Sequence, residues 1–493
     1  MYIRMILIMA VSIFTSRVIL DKLGIDDYGL YNAVASVVAV MTFLNQTLST
    51  STSRFLTFDL GQGDHERLQN TFSTAFLSHL FLAIVILIVM ESVGLWYIAN
   101  KFVIPDGREW ATHLVFQLSI INTVILVMQV PYTATIIAHE NMHVYAYVGI
   151  FEVFAQLGVV YLLSISPIDK LVFYAFLLVV VRLLVFALFW IVCRRRYAEA
   201  QVKARFDRKT FRRMLGFTGW TAVANVSNTF VVQGSVLLLN LFFAPVVIAA
   251  QALASQVSHA IMQFVNNFRV AMNPQIIKSY AAGNHEQSKR LTLTSTIISF
   301  DLMMAIGLPF IFTMDTIFDL WLVEVPDYAV SFTRMAVFSQ ILHTIATSTY
   351  VPFVASGRLK RNALWGTLTG VFYFVLLYLA FTLGADAMWV QYMYLLMVLA
   401  SSLLLRPILL HVELGYEWRE LLSCYWQCFK VLAASLALAC GLRLLFGDAF
   451  LGQVALFACV LLTSLACSFL LMEKNMRQYV QNLIAGWLKH RKT

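Results

Sequence analysis

Fourteen apolar stretches, each about 20 residues long, follow one another along the chain and restrict how it can fold. An α-helix of that length crosses the roughly 30 Å of hydrocarbon in a bilayer. With 60% hydrophobic and 12% charged residues, the 493-residue chain is more apolar than one soluble core could bury. We therefore expect an all-α polytopic membrane protein with about 14 transmembrane helices. The predicted spans are 2–20, 28–50, 74–98, 113–137, 144–165, 170–193, 215–241, 246–270, 291–314, 330–355, 363–384, 386–410, 426–446 and 450–472.

Positive charge is concentrated in every second connection between these spans. The longest polar run, from Arg194 to Arg213, lies between spans 6 and 7, whereas the connection after span 9 carries Asp315 and Asp319 and has no basic residue before Arg334. Lys and Arg favour the cytoplasmic side of a membrane, so both chain termini are predicted to be cytoplasmic. The net charge of +9 is explained by this topology, and no nucleic acid partner is expected.

The last 20 residues have a different pattern. From Lys474 onward, the apolar side chains fall on one helical face and the basic side chains elsewhere. This pattern predicts an amphipathic tail that lies on the anionic phospholipid of the cytoplasmic leaflet. At the other end of the chain no small-residue cleavage site follows the first apolar run, which predicts an uncleaved first span.

Enzyme motifs are not found in the sequence. There is no Ser/His/Asp triad, no Gly-rich phosphate loop and no metal-spaced cluster, so we expect no catalytic residue, no metal and no cofactor. The segment His139-Glu140-Asn141-Met142-His143 is superficially similar to a zinc-protease helix, but it falls in a short predicted loop. The spans and their short connections leave no room for a folded catalytic domain.

A short internal repeat divides the chain. Gly63-Asp64-His65-Glu66 follows span 2, and Gly283-Asn284-His285-Glu286 follows span 8, at an offset of 220 residues. The match is also compatible with a shared turn, in which Gly ends one helix and Asp or Asn caps the next. We interpret it as a duplication of a six-helix lobe. The predicted regions are an N-terminal lobe (1–193), a basic cytoplasmic linker (194–214), a C-terminal lobe (215–411), two additional transmembrane helices (412–473) and the tail (474–493).

Polar side chains at membrane depth form stripes on spans 7 and 8. Such residues usually face a bundle interior or a water-filled cavity, although hydrogen bonding between helices is an alternative explanation for each of them. The stripes lie at consecutive helices of the second lobe, and we expect them to line a cavity. The residues proposed to contact substrate are Asn225, Asn228, Gln256, His259, Gln263 and Asn266.

Three arginines complete the predicted substrate site. Arg17, Arg54 and Arg269 lie near the ends of spans 1, 2 and 8. A guanidinium binds phosphate oxygens through two parallel hydrogen bonds, so an arginine-lined cavity favours an anionic, phosphate-bearing cargo. Snorkelling of these side chains to lipid headgroups is the competing interpretation.

Two intramembrane carboxylates are candidates for ion coupling. Glu152, on span 5, and Asp301, on span 9, could each carry a coupling proton or sodium ion. For Glu152 a local salt bridge is an equal alternative. The sequence does not identify the ion.

Several short segments in the first 140 residues carry a resemblance to known proteins. They are Thr15-Ser16-Arg17-Val18-Ile19-Leu20, Tyr28-Gly29-Leu30-Tyr31-Asn32, Ser53-Arg54-Phe55-Leu56, Gln129-Val130-Pro131-Tyr132 and Ile137-Ala138-His139-Glu140. With the number of spans and the duplication, they resemble the polysaccharide-biosynthesis flippases of the multidrug/oligosaccharidyl-lipid/polysaccharide (MOP) superfamily, especially bacterial O-antigen translocases. Unlike most of that family, this chain enters its first helix almost at once.

The resemblance implies two lobes that form a V and open alternately to either side of the bacterial inner membrane. It also implies a cargo of undecaprenyl-diphosphate-linked oligosaccharide, an O-antigen or other surface-polysaccharide repeat unit, and contact with other polysaccharide-assembly proteins. The alternative is a cation-coupled multidrug exporter of the MATE type, in which Glu152 or Asp301 would dominate. A membrane glycosyltransferase or polymerase would need a large outward loop, and the longest here is about 15 residues. The glycan and the oligomeric state are left open.

Overall fold

The structure, a computed structural model, describes residues 2–40, 52–53, 55–57, 59–60, 64–139, 141–166, 168–201, 207–447, 449–472 and 477. Across these residues the chain is helical and contains no strand. The long helices, numbered in chain order, are α1 (Tyr2–Leu23), α2 (Ile25–Ala39), α3 (His65–Asn100), α4 (Glu109–Ala138), α5 (Met142–Leu163), α6 (Lys170–Arg196), α7 (Arg208–Phe242), α8 (Pro245–Ala281), α9 (His285–Trp321), α10 (Ala329–Ser348), α11 (Leu359–Thr382), α12 (Trp389–Leu414), α13 (Trp418–Leu445) and α14 (Phe450–Leu471).

The expectation of an all-α polytopic membrane protein is confirmed. Each predicted span overlaps one of these helices, although residues 41–50 of span 2 lie outside the described residues. Within the described residues ten helices are long and apolar enough to cross a bilayer. Many large apolar side chains on their outer faces are exposed, among them Phe81, Trp110 and Leu404. In water such a surface would be unfavourable, whereas in a bilayer the lipid tails cover it.

Helix starts repeat along the chain with the period of the sequence repeat. α2 and α8 begin at Ile25 and Pro245, α3 and α9 at His65 and His285, and α4 and α10 at Glu109 and Ala329; each pair is 220 residues apart. A duplication would produce this pattern because each copy carries its own helix boundaries.

The repeated turn has the local geometry expected of it. The Asp64 carboxylate accepts a hydrogen bond from the Arg67 backbone N–H at 3.0 Å and caps α3. Gly283, before α9, has φ of +79°, a left-handed conformation that glycine adopts without a Cβ clash. Gly63, its counterpart in the first copy, lies outside the described residues.

Contacts divide the chain into two compact units. Unit 1 comprises Met1–Ala252, Leu322–Asp327 and Gly366–Val390, and unit 2 comprises Leu253–Trp321, Tyr328–Trp365 and Gln391–Thr493. Helices α8 and α11 therefore contribute to both units, as does α12 through its first two residues. The lobe boundaries inferred from the sequence remain a prediction.

In unit 1, Tyr132 of the Gln-Val-Pro-Tyr segment organises the packing of three helices. Its ring makes edge-on contacts with Phe72 and Phe76 of α3 and Phe186 of α6, with centroid distances of 5.7–6.1 Å. The Tyr132 carbonyl lies 3.4 Å from the Cys193 thiol of α6. Aromatic pairs of this geometry contribute beyond the apolar area that they bury, so this segment is part of the structural core.

Arg108 joins two connections of unit 1. Its guanidinium, at the start of α4, forms ion pairs with Asp27 at the start of α2 and with Asp169 before α6. Burial alone would lower the pKa of Arg108, but its hydrogen bonds to Asp169 and Asp27 and their charges outweigh burial and raise that pKa. Asp169 also caps α6 by accepting hydrogen bonds from the Leu171 and Val172 backbones. One side chain thus fixes the ends of three helices.

Arg108→Gln should destabilise the protein by about 2 kcal/mol, because the buried Asp27 carboxylate would lose its cation while the half-exposed Asp169 could turn to solvent. Thermal unfolding in detergent micelles measures this change. Arg334→Gln is the matched control, since the Arg334–Asp315 pair is more exposed and should contribute little. Equal stability of Arg108→Gln and the wild type would contradict the bridging role.

Gly29, from the segment Tyr28-Gly29-Leu30, lies where α2 meets the start of α8. A Cβ placed on Gly29 would be 2.0 Å from the Pro245 carbonyl oxygen and 3.1 Å from the Pro245 Cβ. No side chain fits at such a distance, so the two backbones approach as closely as they do only because residue 29 is glycine.

Gly29→Ala should therefore destabilise the fold by about 3 kcal/mol, through displacement of α2 from Pro245. Gly158→Ala on α5 is the control, because a Cβ there meets no atom within 4 Å and alanine favours the helix. Thermal unfolding of the two purified variants checks both expectations. A Gly29→Ala variant as stable as Gly158→Ala would show that the close approach is not needed.

Candidate functional site

One face of α8 is polar over several turns within unit 2. Gln256, His259, Gln263 and Asn266 are spaced by three and four residues and share that face. The His259 and Gln263 side chains are exposed, and the other two are half-buried. A polar side chain that faces lipid is costly, so an exposed polar face on a membrane helix indicates contact with water.

Arg269 follows one turn after Asn266 on the same helix. Its guanidinium donates to the Asn266 amide oxygen at 3.3 Å and to the Thr347 carbonyl, one of the last carbonyls of α10. The C-terminal carbonyls of a helix have no partner within it and carry partial negative charge, which stabilises a cation. The Arg269 Nε is buried and has no hydrogen-bond partner.

A second arginine of unit 2 lies inside α12. Arg406 directly follows a π-helical turn, Ala400–Leu405, and its guanidinium donates to the Asn362 amide oxygen of α11. It also lies 5.4 Å from the Tyr350 ring centroid and 5.9 Å from that of Phe353. Aromatic faces attract a guanidinium, and they hold it away from lipid without neutralising its charge.

His343 of α10 lies within electrostatic reach of both arginines. It lies one turn before Thr347, and the charges of both Arg406 and Arg269 act on it. Its Nδ1 is buried without a hydrogen-bond partner. No described carboxylate pairs with either arginine. We name this group, Arg269, His343 and Arg406, the cationic cluster of unit 2.

An unneutralised cationic cluster is suited to an anion. Guanidinium groups bind phosphate oxygens in a planar, bidentate geometry, and a phosphate would supply the negative charge that the neighbouring side chains lack. The amide groups of Gln263 and Asn266 can donate to and accept from sugar hydroxyls. The arrangement therefore provides a place for a charged group beside a place for neutral polar groups.

The structure brings together part of the site predicted from the sequence. Gln256, His259, Gln263, Asn266 and Arg269 share the polar face of α8. Arg17 is exposed on α1 in unit 1. Three other predicted residues are less defined: Arg54 lies outside the described residues, and the helix that carries Asn225 and Asn228 is described without those side chains.

Glu152, predicted as a candidate for ion coupling, has a cationic partner. Its carboxylate lies 3.1 Å from Arg182 of α6, which also donates to the Asn122 amide oxygen at 3.4 Å. The local salt bridge that the sequence allowed is therefore formed. Asp301, the second candidate, is buried, and neither of its carboxylate oxygens has a hydrogen-bond partner.

Sequence reasoning did not identify Arg406 or His343 as site residues. Arg406 falls inside predicted span 12 (386–410) and inside α12, but its position near the end of the span gave no reason to assign it to a site. Arg-Pro at the end of an apolar run was the available signal. The partners of Arg406 come from other helices, and no local pattern reveals them.

Two features singled out in the sequence belong to unit 1 and are not part of the cationic cluster. In the basic linker, Arg194 lies over the Trp190 ring at 5.2 Å, and the Asp207 backbone N–H donates to Thr74 at 3.1 Å. His139, in the segment that is similar to a zinc-protease helix, pairs with Glu199 and stacks on Tyr197. Among the described residues no group of three His, Cys, Asp or Glu side chains could hold a metal ion. The tail from Lys474 lies almost entirely outside them.

Comparison with known proteins gives the class of fold. No protein-family model and no curated protein sequence matches the chain. Solved structures do match: the lipid II flippase MurJ in an inward closed conformation has a TM-score of 0.67 at 11% identity, covering 94% of this chain and 97% of that one. A MATE-family multidrug resistance transporter of the MOP superfamily, inward-facing, has a TM-score of 0.66 at 13% identity, covering 82% and 96%.

A third similar structure is a MOP superfamily transporter from Pyrococcus furiosus, described as having a binding pocket of reverse polarity. Its TM-score is 0.54 at 14% identity, and the match covers 83% of this chain and 94% of that one. At these identities the comparison establishes the fold alone. The chain has the same fold as these transporters.

The Glu152–Arg182 pair can be tested as a structural element. Glu152→Gln and Arg182→Gln should each destabilise the protein by about 2 kcal/mol, because each leaves an unpaired charge inside the membrane. The double variant should recover most of that loss, since both charges are then absent. Thermal unfolding of the three variants in detergent micelles measures the coupling, and strictly additive losses would mean that the pair does not stabilise the fold.

Proposed function

We propose that this protein is a flippase that moves an undecaprenyl-diphosphate-linked oligosaccharide, such as an O-antigen repeat unit, across the bacterial inner membrane. The observation that carries the proposal is the cationic cluster, in which two arginines within a membrane protein have no described carboxylate partner. A buried cation without a counter-ion is costly, and an anionic cargo would supply the missing charge.

The two parts of the site correspond to the two polar parts of such a cargo. The diphosphate would bind Arg269 and Arg406, with His343 beside them, and the sugars would bind the amides on the polar face of α8. The prenyl chain would remain in lipid. The two predicted arginines of the first lobe, Arg17 and Arg54, would contact the cargo when the site opens alternately to the two sides.

The similarity to the MurJ flippase supports handling of a lipid-linked substrate, because MurJ is described as a lipid II flippase. The MATE structures support the alternative, a cation-coupled multidrug exporter of the same fold. In that case the protein should depend on Glu152 or Asp301, and its arginines should not matter. Of these two carboxylates, Glu152 is already paired with Arg182, which reduces its suitability for carrying an ion.

We also propose where the protein lies in the cell and which molecules it contacts. Both termini would be cytoplasmic, because the basic connections face the cytoplasm in bacterial membrane proteins. The basic linker and the tail would bind anionic phospholipid headgroups, and the cargo would be received from and passed to other polysaccharide-assembly proteins. Transport would require no cofactor other than a proton or sodium gradient, and neither nucleic acid nor catalysis would be involved.

Arg269→Gln and Arg406→Gln should each reduce export of surface glycan about tenfold or more, because each removes a charge-assisted contact to phosphate that contributes about 1.5–3 kcal/mol. The measurement is surface glycan in a strain that carries each variant as the sole copy, at equal protein level. Lipid-linked glycan should accumulate in the same cells.

Arg334→Gln is the control, because Arg334 is paired with Asp315 at an exposed position. Normal export by both Arg269→Gln and Arg406→Gln would remove the cationic cluster from the mechanism. If loss of the protein raised drug sensitivity without accumulation of lipid-linked glycan, the exporter alternative would replace the flippase.

A further inference from the structure

Asp301 is the most isolated carboxylate among the described residues of α9. Its side chain is 5% exposed, and neither carboxylate oxygen accepts a hydrogen bond. No described cation acts on it. The other buried acids among the described residues each pair with a basic side chain: Asp27 with Arg108, Asp59 with Arg67 and Glu199 with His139. A buried carboxylate with neither a hydrogen-bond partner nor a cation needs a physical explanation.

The helices packed against α9 provide no compensating charge. They are α10, the short helix Val351–Ser356, α13 and α14. The short helix has no ionisable side chain, and α14 has only the thiols of Cys459 and Cys467. On α10, Arg334 is paired with Asp315, and His343, whose Nδ1 is buried, belongs to the cationic cluster. The buried face of α13 carries two thiols and a phenol, Cys424, Cys428 and Tyr425, and Asp301 acts electrostatically on Cys428. No charged group on these helices acts on Asp301, and this includes the half-buried Lys430 of α13.

Contacts above and below Asp301 fix its level in the bundle. Phe310 of α9 touches Phe457 of α14, with ring centroids 5.4 Å apart. Leu293 of α9 lies beside Cys424 of α13, with 3.8 Å between the carbonyl oxygen and the sulfur. All α-helices rise equally per residue, so positions can be counted from these two contacts along each helix.

The direction of each helix follows from its contacts. Gln427, near the start of α13, donates to the Leu471 carbonyl at the end of α14 at 2.7 Å, so these two helices are antiparallel. Asp301 lies nine residues before Phe310, and the same distance along antiparallel α14 from Phe457 leads to the level between Ser464 and Ser468. Counted from Leu293 and Cys424, Asp301 is about one turn from Ser435 of α13. The hydroxyls of these three serines are buried and have no hydrogen-bond partner.

At this level, helices α9, α13 and α14 together contain a layer of buried polar groups without hydrogen-bond partners: one carboxyl and three hydroxyls. An ionised carboxylate in that layer would be far from water and from any cation, which is strongly unfavourable. A protonated carboxyl is neutral, and its O–H can donate to a serine hydroxyl while its carbonyl oxygen accepts from another.

We propose that Asp301 is a reversible proton-binding site that controls the packing of α9 against α13 and α14. One proton from water adds to the carboxylate to give the carboxylic acid, and no other reactant is needed. Loss of that proton would place a bare charge in the layer, and the helices would have to part or admit water to solvate it. Use of this site to drive transport rests on the proposed function; the proton site itself does not.

Infrared spectroscopy of the protein in vesicles tests the proton site directly. At neutral pH the wild type should show the carbonyl stretch of a buried protonated carboxyl, and Asp301→Asn should lose it completely. Glu152→Gln is the matched control and should retain the band, because Glu152 forms an ion pair with Arg182 at 3.1 Å, whereas Asp301 has no hydrogen-bond partner. Raising the pH should abolish the band in the wild type.

A band of equal intensity in the wild type and Asp301→Asn would overturn the proposal, as would a band that does not respond to pH. Loss of the band on addition of sodium ions at constant pH would also overturn it, in favour of a cation site. Because Asn has nearly the shape of protonated Asp, the variant should fold; native-like thermal unfolding confirms that it does.

A transport assay in inverted vesicles tests whether Asp301 couples transport to a proton gradient, separately from whether it binds a proton. If the protein is a flippase, a proton gradient should stimulate lipid-linked glycan transport by the wild type, and Asp301→Asn should lose the stimulation entirely. Unchanged stimulation in the variant would overturn the coupling role. Failure of the wild type to move this cargo, with the infrared band intact, would refute the flippase and leave the proton site standing.

Discussion

The free-energy cost of a charge removed from water governs where this chain places its ionisable side chains. Two acids on helices that begin or run within unit 1 are paired with arginines: Asp27 with Arg108, and Glu152 with Arg182. These pairs join helices that are distant in sequence, and they neutralise each other. In unit 2, by contrast, the cationic cluster and Asp301 are not paired with an opposite charge among the described residues. The cationic cluster has an excess of positive charge, and Asp301 has no partner of either kind.

The fold could be predicted from the sequence largely because a membrane converts hydropathy into helices. Each apolar stretch became a helix, and the repeated Gly-Asp/Asn-His-Glu turn marked where corresponding helices begin, at His65 and His285. Both the apolar stretches and the repeated turn are short segments of sequence, and the helices that they predict depend mainly on residues within those segments. The polar face of α8 was likewise predictable, because side chains three and four residues apart share a face of any helix.

Partnerships between helices were not predictable in the same way. The sequence placed Glu152 equally between ion coupling and a salt bridge, and only the packing of α5 against α6 brought Arg182 within 3.1 Å. Arg406 was missed because its neighbours Asn362 and Tyr350 lie on other helices. Hydropathy also placed the end of α12 four residues early, at 410 instead of Leu414, because its last turn is less apolar than the rest. What decides such contacts is the register of one helix against another, and a single sequence carries little information about register.

The direction in which the Arg406 side chain points depends on how the preceding π-helical turn, Ala400–Leu405, is wound. A π turn accommodates one more residue than an α-helical turn, and each residue of an α-helix rotates the chain by about 100°. If this segment rewound as a regular α-helix, the part of α12 beyond it would rotate by about that angle relative to the part before it. The guanidinium would then leave Tyr350 and Asn362 while the helix kept its place in the membrane. Positive charge could thus be presented or withdrawn by a change confined to six residues, without movement of a whole unit.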